Sequence, residues 1–339
     1  MDGRIRTVLG DIDPAALGPT DYHEHLFHAS PLLLGEDLDD EDASEREFTD
    51  FLGSGFAGIV DATPIGLGRN PAALARIAAR TGGGIVAATG RHRDAHYPDP
   101  GWLDKRDGEA VFVRELTVGV AADDTQYATT DEPPLAVVDG RPVRAGIVKL
   151  GIDYWRITAR ERAALEAAAG AHRQTGAPLM VHTERASAAL EILDLVGGQG
   201  VAASRVILAH VDRNPDPGLH AELAAAGAYL GYDGAARLKD WPESVVIDCL
   251  ARLVEAGHAD RVLFGGDVAR RSSFRSYGGL PGLAYLGTRF VPRVGARLGE
   301  DIVRTILVDN PRRVLPWRRS EPSPAAPIPG VASTACRIM

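Results

Sequence analysis

Short apolar runs alternate with longer segments rich in Ala, Leu and Arg over most of the chain. Eight of the runs are predicted to be strands, and they cover residues 18–26, 56–63, 83–90, 144–151, 177–184, 205–212, 227–234 and 261–268. Strands that alternate with helical segments indicate βαβ units and a parallel sheet. Eight such units favour a closed α/β barrel, with a doubly wound open sheet as the alternative.

Three of the intervening segments carry clear helix signals. Helices are predicted over residues 70–82, 158–176 and 242–258. Thr158 is placed to cap the second helix at its start and Gly176 to stop it, while Pro242 suits a first turn. No G-x-G-x-x-G motif follows the first strand, which argues against dinucleotide binding.

Two regions lie outside the alternation. Residues 122–143 are rich in Asp, Thr and Pro and are predicted to form a surface excursion ahead of the fourth strand. Residues 318–339 are rich in Pro, Ala and Ser and are predicted to be a disordered tail. The chain is therefore expected to fold as one domain over residues 1–317.

Composition and charge restrict the classes of molecule that this protein is expected to bind. The 339 residues are 45% hydrophobic and 24% charged, which is typical of a soluble globular protein. The net charge is −9 and no basic stripe stands out, so nucleic acid is not an expected partner. No run has the roughly 18–20 apolar residues of a membrane helix, and no secretion signal is expected. With only Cys249 and Cys336 present, no disulfide framework is expected and the predicted location is the cytoplasm.

Two histidines near the end of the first run, in the stretch GPTDYHEHLF, are the first candidate functional residues. Residues i and i+2 of a strand face the same side, so His23 and His25 can both point into the mouth of a barrel. Further polar residues stand at or near the ends of later runs, namely Lys149, His182, His210 and Asp267. Active sites of such barrels lie at the C-terminal ends of the strands, so these residues are expected to converge.

The polar strand ends have the composition of a metal site. Imidazole and carboxylate ligands suit Zn²⁺ and related divalent ions, and four histidines with one aspartate exceed what one tetrahedral ion usually takes. Lys149 is harder to explain, because an ammonium is costly to bury unless it is paired. Its neighbours in GIVKLG include no carboxylate. Taken together, the residues indicate a metal centre rather than a chance placement.

The motifs that carry these residues resemble a known family. LGPTDYHEHL, AGIVKLG, VHTE, ILAHVD and GGD occur in that order, and the likeness runs from about residue 4 to residue 317. They are similar to motifs of the phosphotriesterase family of the amidohydrolase superfamily. The resemblance implies a (β/α)8 TIM-type barrel with a short N-terminal preamble and two bridged divalent ions. Zn²⁺ is the expected metal, and Mn, Co and Fe remain alternatives.

The resemblance also implies a role for each histidine. His23 and His25 are expected to bind the more buried ion together with Asp267. His182 and His210 are expected to bind the more exposed ion. The paired imidazoles of the first run are therefore interpreted as the first half of a binuclear site.

The resemblance also implies roles for Lys149 and Asp267 in catalysis. Lys149 is expected to be carboxylated on its amine, and the carbamate would bridge both ions, which would compensate for its burial. A hydroxide that bridges the ions would attack a carbonyl or phosphoryl ester, and Asp267 would accept its proton. The reaction class implied is ester hydrolysis of a small molecule.

Cationic side chains on two late loops indicate an anionic substrate. The loops after the seventh and eighth runs contain Arg237, Lys239, Arg270, Arg271 and Arg275. These segments resemble the branch of the family that acts on phosphorylated sugar lactones. We therefore expect a lactonase in which Arg275, with Lys239 and Arg271, binds a phosphate or carboxylate. Further candidate contacts are Tyr277, Tyr97 and His92.

Other functions remain open at this point. Phosphotriesterase activity is the first alternative, although a neutral triester has no use for the cationic loops. A mononuclear deaminase of the same superfamily is disfavoured, because Lys149 has no role there. A barrel that has lost catalysis and acts as a binding protein is the second alternative, and the complete ligand set argues against it. A homodimer is also left open.

Overall fold

The computed structural model describes residues 3–97 and 103–319. Twelve strands lie within these residues. In chain order they are β1 (Ile5–Thr7), β2 (Gly10–Ile12), β3 (Thr20–Glu24), β4 (Gly58–Asp61), β5 (Gly84–Arg91), β6 (Val137–Val138), β7 (Arg141–Pro142), β8 (Ile147–Gly151), β9 (Leu179–His182), β10 (Val206–Ala209), β11 (Tyr229–Tyr232) and β12 (Val262–Phe264). The antiparallel pair β1–β2 forms a short preamble ahead of the main sheet.

Eight strands form one parallel sheet in the order β3-β4-β5-β8-β9-β10-β11-β12. The sheet rolls up until its first and last strands meet. Across this seam the Asp267 N–H donates to the His23 carbonyl at 2.9 Å. The Gly266 N–H donates to the Asp21 carboxylate at 3.1 Å. All eight predicted strands are present, and the barrel is confirmed over the open sheet.

Helices fill the connections between the strands. Those within the described residues are α1 (Glu41–Leu52), α2 (Pro71–Thr81), α3 (Gly108–Thr117), α4 (Ala159–Thr175), α5 (Ala189–Gly198), α6 (Pro217–Ala225), α7 (Glu243–Glu255), α8 (Val291–Leu298), α9 (Glu300–Arg304) and α10 (Asn310–Val314). The predictions for α2, α4 and α7 are confirmed. Thr158 and Glu161 form a reciprocal capping box, and Gly176 ends α4 at φ +82°. Pro242 precedes α7 in extended conformation rather than lying in its first turn.

Alternation along the strands decides which side chains reach the barrel interior. In β8, Ile147 packs inside the barrel, whereas Val148 packs under the surrounding helices. Lys149 therefore shares the inner face with Ile147. In β9 the inner residue is Met180, and His182 follows two positions later on the same face. The strands thus carry their polar end residues into the mouth above the apolar core.

The region over residues 122–143 is anchored to the barrel. It contains the 3-10 turn Asp124–Ala128 and the hairpin β6–β7. The Asp124 carboxylate accepts from the Arg69 guanidinium at 3.0 Å and from the Gly66 N–H at 2.7 Å. This surface excursion is therefore tied down by a buried ion pair.

The start of the predicted tail lies against α4. The Arg318 N–H donates to the Gly176 carbonyl at 2.8 Å, and the Arg319 guanidinium donates to the Gln174 carbonyl at 2.6 Å. The remaining tail, residues 320–339, lies outside the described residues. The disordered tail and the single domain over residues 1–317 stay predictions. None of the described helices is long and apolar enough to cross a bilayer.

Candidate metal centre and its cavity

A cavity of about 780 Å³ opens at the carboxyl ends of the barrel strands. Seven of the ten histidines in the sequence line it, and they are His23, His25, His28, His92, His96, His182 and His210. Asp267 also lines the cavity. Lys149 is 1% exposed, and its Nζ lies 3.4 Å from Nε2 of His23. The structure therefore brings all six predicted metal ligands together.

The two carboxylate oxygens of Asp267 face different partners. Oδ1 lies 3.4 Å from Nε2 of His23 and 3.4 Å from Nε2 of His25. Oδ2 accepts from Nη2 of Arg213 at 2.6 Å and from Nη2 of Arg237. The backbone of Asp267 has φ +48°, a strained value for a residue with a side chain. Its side chain is thus held in one orientation from both ends.

Neighbouring groups assign the tautomers of His25 and His182. The Thr63 hydroxyl donates to the Phe27 carbonyl at 2.8 Å, so it must accept from Nδ1 of His25, also at 2.8 Å. The Glu184 carboxylate lies 2.9 Å from Nε2 of His182 and takes the proton there as a hydrogen bond. These contacts leave lone pairs on Nε2 of His25 and Nδ1 of His182. Supporting bonds of this kind orient histidines that bind metals.

Asp233 does the same for His210. Its Oδ1 lies 2.7 Å from Nδ1 of His210, which leaves the free lone pair of that ring on Nε2. Oδ2 of Asp233 accepts from the Tyr22 hydroxyl and faces Nδ1 of His23 at 3.3 Å, an atom that makes no hydrogen bond within the described residues. Sequence reasoning missed Asp233, although it directly follows β11 and so occupies the same kind of strand-end position as the predicted ligands.

Burial keeps the imidazoles neutral. It lowers the pKa of His25 to about 4, although the nearby Asp267 carboxylate opposes this shift. It lowers the pKa of His182 to about 3, although the Glu184 hydrogen bond opposes it. A neutral imidazole is the form that binds a metal ion. Burial alone would raise the pKa of Asp267, but the charge of Arg237 outweighs it and keeps that pKa well below its usual range. The donor atoms are therefore in the right protonation states at neutral pH.

Lys149 has no direct counter-charge. Within the described part of the chain, no carboxylate oxygen lies within 4 Å of its Nζ, which contacts Nε2 of His23 instead. Burial lowers the pKa of Lys149 to about 8, and Asp267 opposes this shift from a distance. An amine that is partly neutral at physiological pH can react with carbon dioxide. The surroundings of Lys149 thus suit either a neutral amine or a carbamate that meets cations.

The residues present fit a site for divalent cations. The ligand atoms of His23, His25 and Asp267 all lie within 4.8 Å of one another, and so do those of His23, His210 and Asp233. The imidazoles of His25, His182 and His210 have their free lone pairs assigned by hydrogen bonds to Thr63, Glu184 and Asp233. Nitrogen and carboxylate donors of this kind suit Zn²⁺ and its neighbours.

Two of the predicted substrate contacts line the cavity, and four do not. Lys239 and His92 are on its wall. The Tyr97 hydroxyl donates to the Ile65 carbonyl at 2.8 Å and accepts from the His92 N–H at 3.0 Å. Tyr97 is therefore engaged with the backbone beneath the third loop.

The other three predicted contacts lie beside the cavity in this structure. The Tyr277 hydroxyl accepts from the Asp40 N–H at 2.9 Å, so it joins the last loop to the start of α1. Arg271 stacks over the Tyr277 ring at 4.3 Å and faces Asp39 at 3.6 Å. Arg275 is exposed and is not among the residues that line the cavity. Their roles in substrate binding stay predictions.

The cavity wall carries further cations. Arg213, Arg237 and Arg270 line it together with Lys239. The first two bind Asp267. Within the residues described, neither Lys239 nor Arg270 has a carboxylate within ion-pair distance. These two cations are therefore available for an anionic ligand.

Comparisons with known proteins agree with this geometry. The model of the Phosphotriesterase family matches residues 3–315. A phospho-furanose lactonase from Mycoplasmopsis synoviae (strain 53) is 33% identical over 330 residues, covering 91% of this chain and 91% of the relative. The crystal structure of a lactonase from Listeria monocytogenes has a TM-score of 0.81 at 32% identity and covers 93% of this chain and 99% of its own. The structure of an amidohydrolase from Mycoplasma synoviae has a TM-score of 0.84 at 31% identity, with 94% of each chain covered.

The sequence motifs, the fold and the candidate site thus all indicate the same family. The family match extends over nearly all of the barrel. Five of the six strand-end residues that carry the resemblance line one cavity, and the sixth, Lys149, contacts His23. The chain belongs to the phosphotriesterase family.

Proposed function

We propose that this protein is a binuclear-metal-dependent lactonase whose substrate carries a phosphate or carboxylate group. The observation that carries the proposal is the pairing of a cation site with two uncommitted cations in the same cavity. His23, His25 and Asp267 stand at its floor, while Lys239 and Arg270 stand on its wall. The similarity to a phospho-furanose lactonase supports the same substrate class.

The reaction would use the chain's residues in a simple order. When bound, two divalent ions supply hydroxide at neutral pH and polarise the ester carbonyl. Thr63, Glu184 and Asp233 bond to one nitrogen each of His25, His182 and His210, so the other nitrogens of these rings would be free to hold the ions. Asp267 would accept the proton that the nucleophile loses, and the charge of Arg237 keeps its carboxylate ionised at neutral pH.

The metals and the lysine modification are part of the proposal. Zn²⁺ is our first choice because the donors are imidazole and carboxylate, and Mn, Co and Fe remain alternatives. Carboxylation of Lys149 would turn a buried cation into an anion between two cations. It is supported by the depressed pKa of Lys149 and by its lack of a close carboxylate. We also propose a cytoplasmic location, with a homodimer as the assembly to be tested.

The anion is proposed to lie on the side of the cavity formed by the loops after β11 and β12. Lys239 and Arg270 are the residues on that wall without an ion-pair partner among the described residues. Arg275, Arg271 and Tyr277 belong to the same late loop and remain proposed contacts. A charge-assisted hydrogen bond is worth about 1.5–3 kcal/mol, so each lost contact should cost about ten- to a hundredfold.

Two other activities would use the same barrel. A phosphotriesterase would act on a neutral triester, which offers no anionic partner for Lys239 or Arg270. A barrel that only binds ligands would not need the supported histidine tautomers. Neither alternative accounts for both the candidate cation site and the two cationic residues, Lys239 and Arg270, in the same cavity.

The decisive experiment is a substrate panel on protein loaded with Zn²⁺. The panel contains a phosphorylated aldonolactone, γ-butyrolactone and an aryl dialkyl phosphate. We expect the highest kcat/KM for the phosphorylated lactone. A higher value for the triester would favour phosphotriesterase activity, and no turnover of any member would favour the binding protein.

A further inference from the structure

Arg213 links the candidate metal centre to the outer surface of the barrel mouth. It ends the 3-10 turn Val211–Arg213, which directly follows His210. Its Nη2 donates to Oδ2 of Asp267 at 2.6 Å and lies 3.9 Å from Oδ1 of Asp233. One guanidinium thus contacts the carboxylate of the candidate ligand Asp267 and approaches the carboxylate that orients His210.

The main chain of Arg213 is held as firmly as its side chain. The Trp241 indole N–H donates to the Arg213 carbonyl at 3.1 Å, and Nη1 of Arg185 donates to the same oxygen at 3.1 Å. Arg185 itself has φ +58° and pairs with Asp240 at 3.2 Å. Three loops, after β9, β10 and β11, therefore meet at one carbonyl group.

The consequence for Asp267 is geometric. A carboxylate can rotate, and either oxygen could face the histidines. Arg213 occupies Oδ2, so that Oδ1 is the oxygen directed at His23 and His25. Arg237 contacts Oδ2 as well, and its Nη2 also donates to the Asp267 backbone carbonyl at 2.9 Å. Its side chain is 32% exposed, whereas that of Arg213 is 13% exposed, so Arg213 is the more rigid of the two.

We propose that Arg213 is a positioning residue that sets the affinity of the centre for its cations, with Trp241 and Arg185 holding its backbone in place. The proposal rests on the metal binding in the proposed function but not on the choice of substrate. Partners that orient metal ligands typically contribute ten- to a hundredfold in metal affinity. Two adjacent guanidiniums alone would repel a divalent ion, so a merely electrostatic role predicts the opposite sign.

The test measures Zn²⁺ affinity by competition with a chromogenic chelator, without any substrate. We expect Arg213→Lys to weaken binding about tenfold and Arg213→Met about ten- to a hundredfold. Trp241→Phe removes the indole N–H together with part of a ring that is 40% exposed, and it should weaken binding about two- to fivefold. Arg252→Met, on the exposed side of α7, is the matched control and should leave the affinity unchanged.

Chemical rescue separates positioning from a general loss of structure. Arg213→Gly leaves space for a guanidinium ion, so millimolar guanidinium chloride should restore most of the lost Zn²⁺ affinity. Sodium chloride at the same concentration should not. Affinity within twofold of wild type in Arg213→Met, tighter binding in that variant, or a loss that guanidinium cannot restore would each overturn the proposal. If Zn²⁺ binding weakens as expected but no lactone is hydrolysed, only the proposed function fails.

Discussion

The imidazole rings of His92 and His96 stack face to face on the cavity wall, with centroids 4.3 Å apart and planes 10° apart. Nδ1 of His96 bonds to the Ser30 hydroxyl at 2.8 Å, so the stack ties the loop after β5 to the loop after β3. Nδ1 of His92 accepts from the Arg93 N–H at 2.8 Å, which places the proton of the neutral ring on Nε2. Burial lowers the pKa of His96 to about 4 and that of His92 further, so this part of the wall is uncharged at neutral pH.

Uncharged ring nitrogens suit the hydroxyl groups of a lactone, because each can donate or accept one hydrogen bond. We expect His96→Phe to keep the stack but to lower kcat/KM for ribono-1,4-lactone about five- to tenfold relative to γ-butyrolactone, since one hydrogen bond is worth about 1 kcal/mol. The measurement is the ratio of kcat/KM for the two lactones. His258→Phe, outside the cavity lining, should leave the ratio as in wild type. Equal losses on both lactones would mean that His96 supports the fold or the metal centre.

Metal content is the second prediction. Protein purified with Zn²⁺ should hold close to two ions per chain, because four neutral histidines and Asp267 offer more donor atoms than one tetrahedral ion usually takes. Removal of the ions by a chelator should lower the Tm by several degrees, since a ligand at a hundred times its Kd contributes about 2.7 kcal/mol. Elemental analysis and thermal unfolding provide the check. One tightly bound ion with full activity would contradict the binuclear site.

The third prediction concerns Lys149. Lys149→Met should lose the second ion and at least about a hundredfold in kcat/KM, because a neutral thioether cannot bridge two cations. Lys149→Glu restores an anion at the same position and should retain more metal, so it serves as the matched control. Wild-type kcat/KM in Lys149→Met would refute the carbamate.

The rate of carbamate formation at Lys149 should depend on pH in a defined direction. Burial lowers the pKa of Lys149 to about 8 from the usual value of 10.5. The reactive neutral amine therefore increases as the pH rises through 8, and the ammonium predominates below it. At a fixed concentration of dissolved ¹³CO₂, metal-free protein should take up the label as carbamate faster at pH 8 than at pH 6, and the ¹³C signal of the carbamate provides the measurement. An uptake rate independent of pH would count against this assignment.

The fourth prediction locates the anion. Lys239→Ala should lower kcat/KM for a phosphorylated lactone about ten- to a hundredfold, because Lys239 lines the cavity and has no ion-pair partner among the described residues. γ-Butyrolactone, which has no anion, should be affected much less. Arg275→Ala is the informative comparison, since Arg275 lies beside the cavity in this structure. A loss in Arg275→Ala as large as that in Lys239→Ala would bring Arg275 into the substrate site.

The fifth prediction tests the packing of the first helices. Glu41 in α1 accepts from Nη2 of Arg76 at 2.6 Å and Nη2 of Arg80 at 2.9 Å, both in α2. The hydrogen bond from Arg76 lowers the pKa of Glu41 to about 2, against burial and with help from Arg80. A lowered pKa stabilises the fold above the unfolded value of 4.5, and this stabilisation is lost as the pH falls towards 2.

Glu41→Gln should therefore lower the free energy of unfolding by about 0.5–1 kcal/mol at pH 7, the usual size for a largely solvated pair. The difference from wild type should shrink as the pH falls below 4.5. Asp42→Asn is the matched control, because Asp42 lies in the same first turn of α1. Denaturant unfolding between pH 7 and pH 3 measures both variants. A constant difference over this range would show that the ion pair is not its cause.

The features that could be predicted from the sequence depend on residues close together in the chain. The eight strands follow from apolar runs, and Thr158 and Gly176 mark the ends of α4 because capping depends on a few adjacent residues. Strand alternation and strand ends were sufficient to predict that His23, Lys149 and the other ligands converge. These features depend on the period of the backbone, which a sequence displays directly.

Contacts between loops could not be predicted in the same way. Asp233 lies 23 positions from the His210 that it orients, and Arg213 lies 54 positions from Asp267. Tyr277 was predicted to contact substrate, but its hydroxyl accepts from the Asp40 N–H at the start of α1. A loop side chain has several directions open to it, and neighbouring loops decide among them.

The sequence alone indicated the barrel, its eight strands and the six strand-end residues expected to converge. Periodicity and motif order carry this information without any knowledge of distances. Only the tertiary structure decided which nitrogens of His25, His182 and His210 carry the free lone pair, which oxygen of Asp267 faces the centre, and which cations reach the cavity. Those choices depend on hydrogen bonds between residues far apart in the chain, such as His210 with Asp233, and such bonds exist only after the barrel has closed.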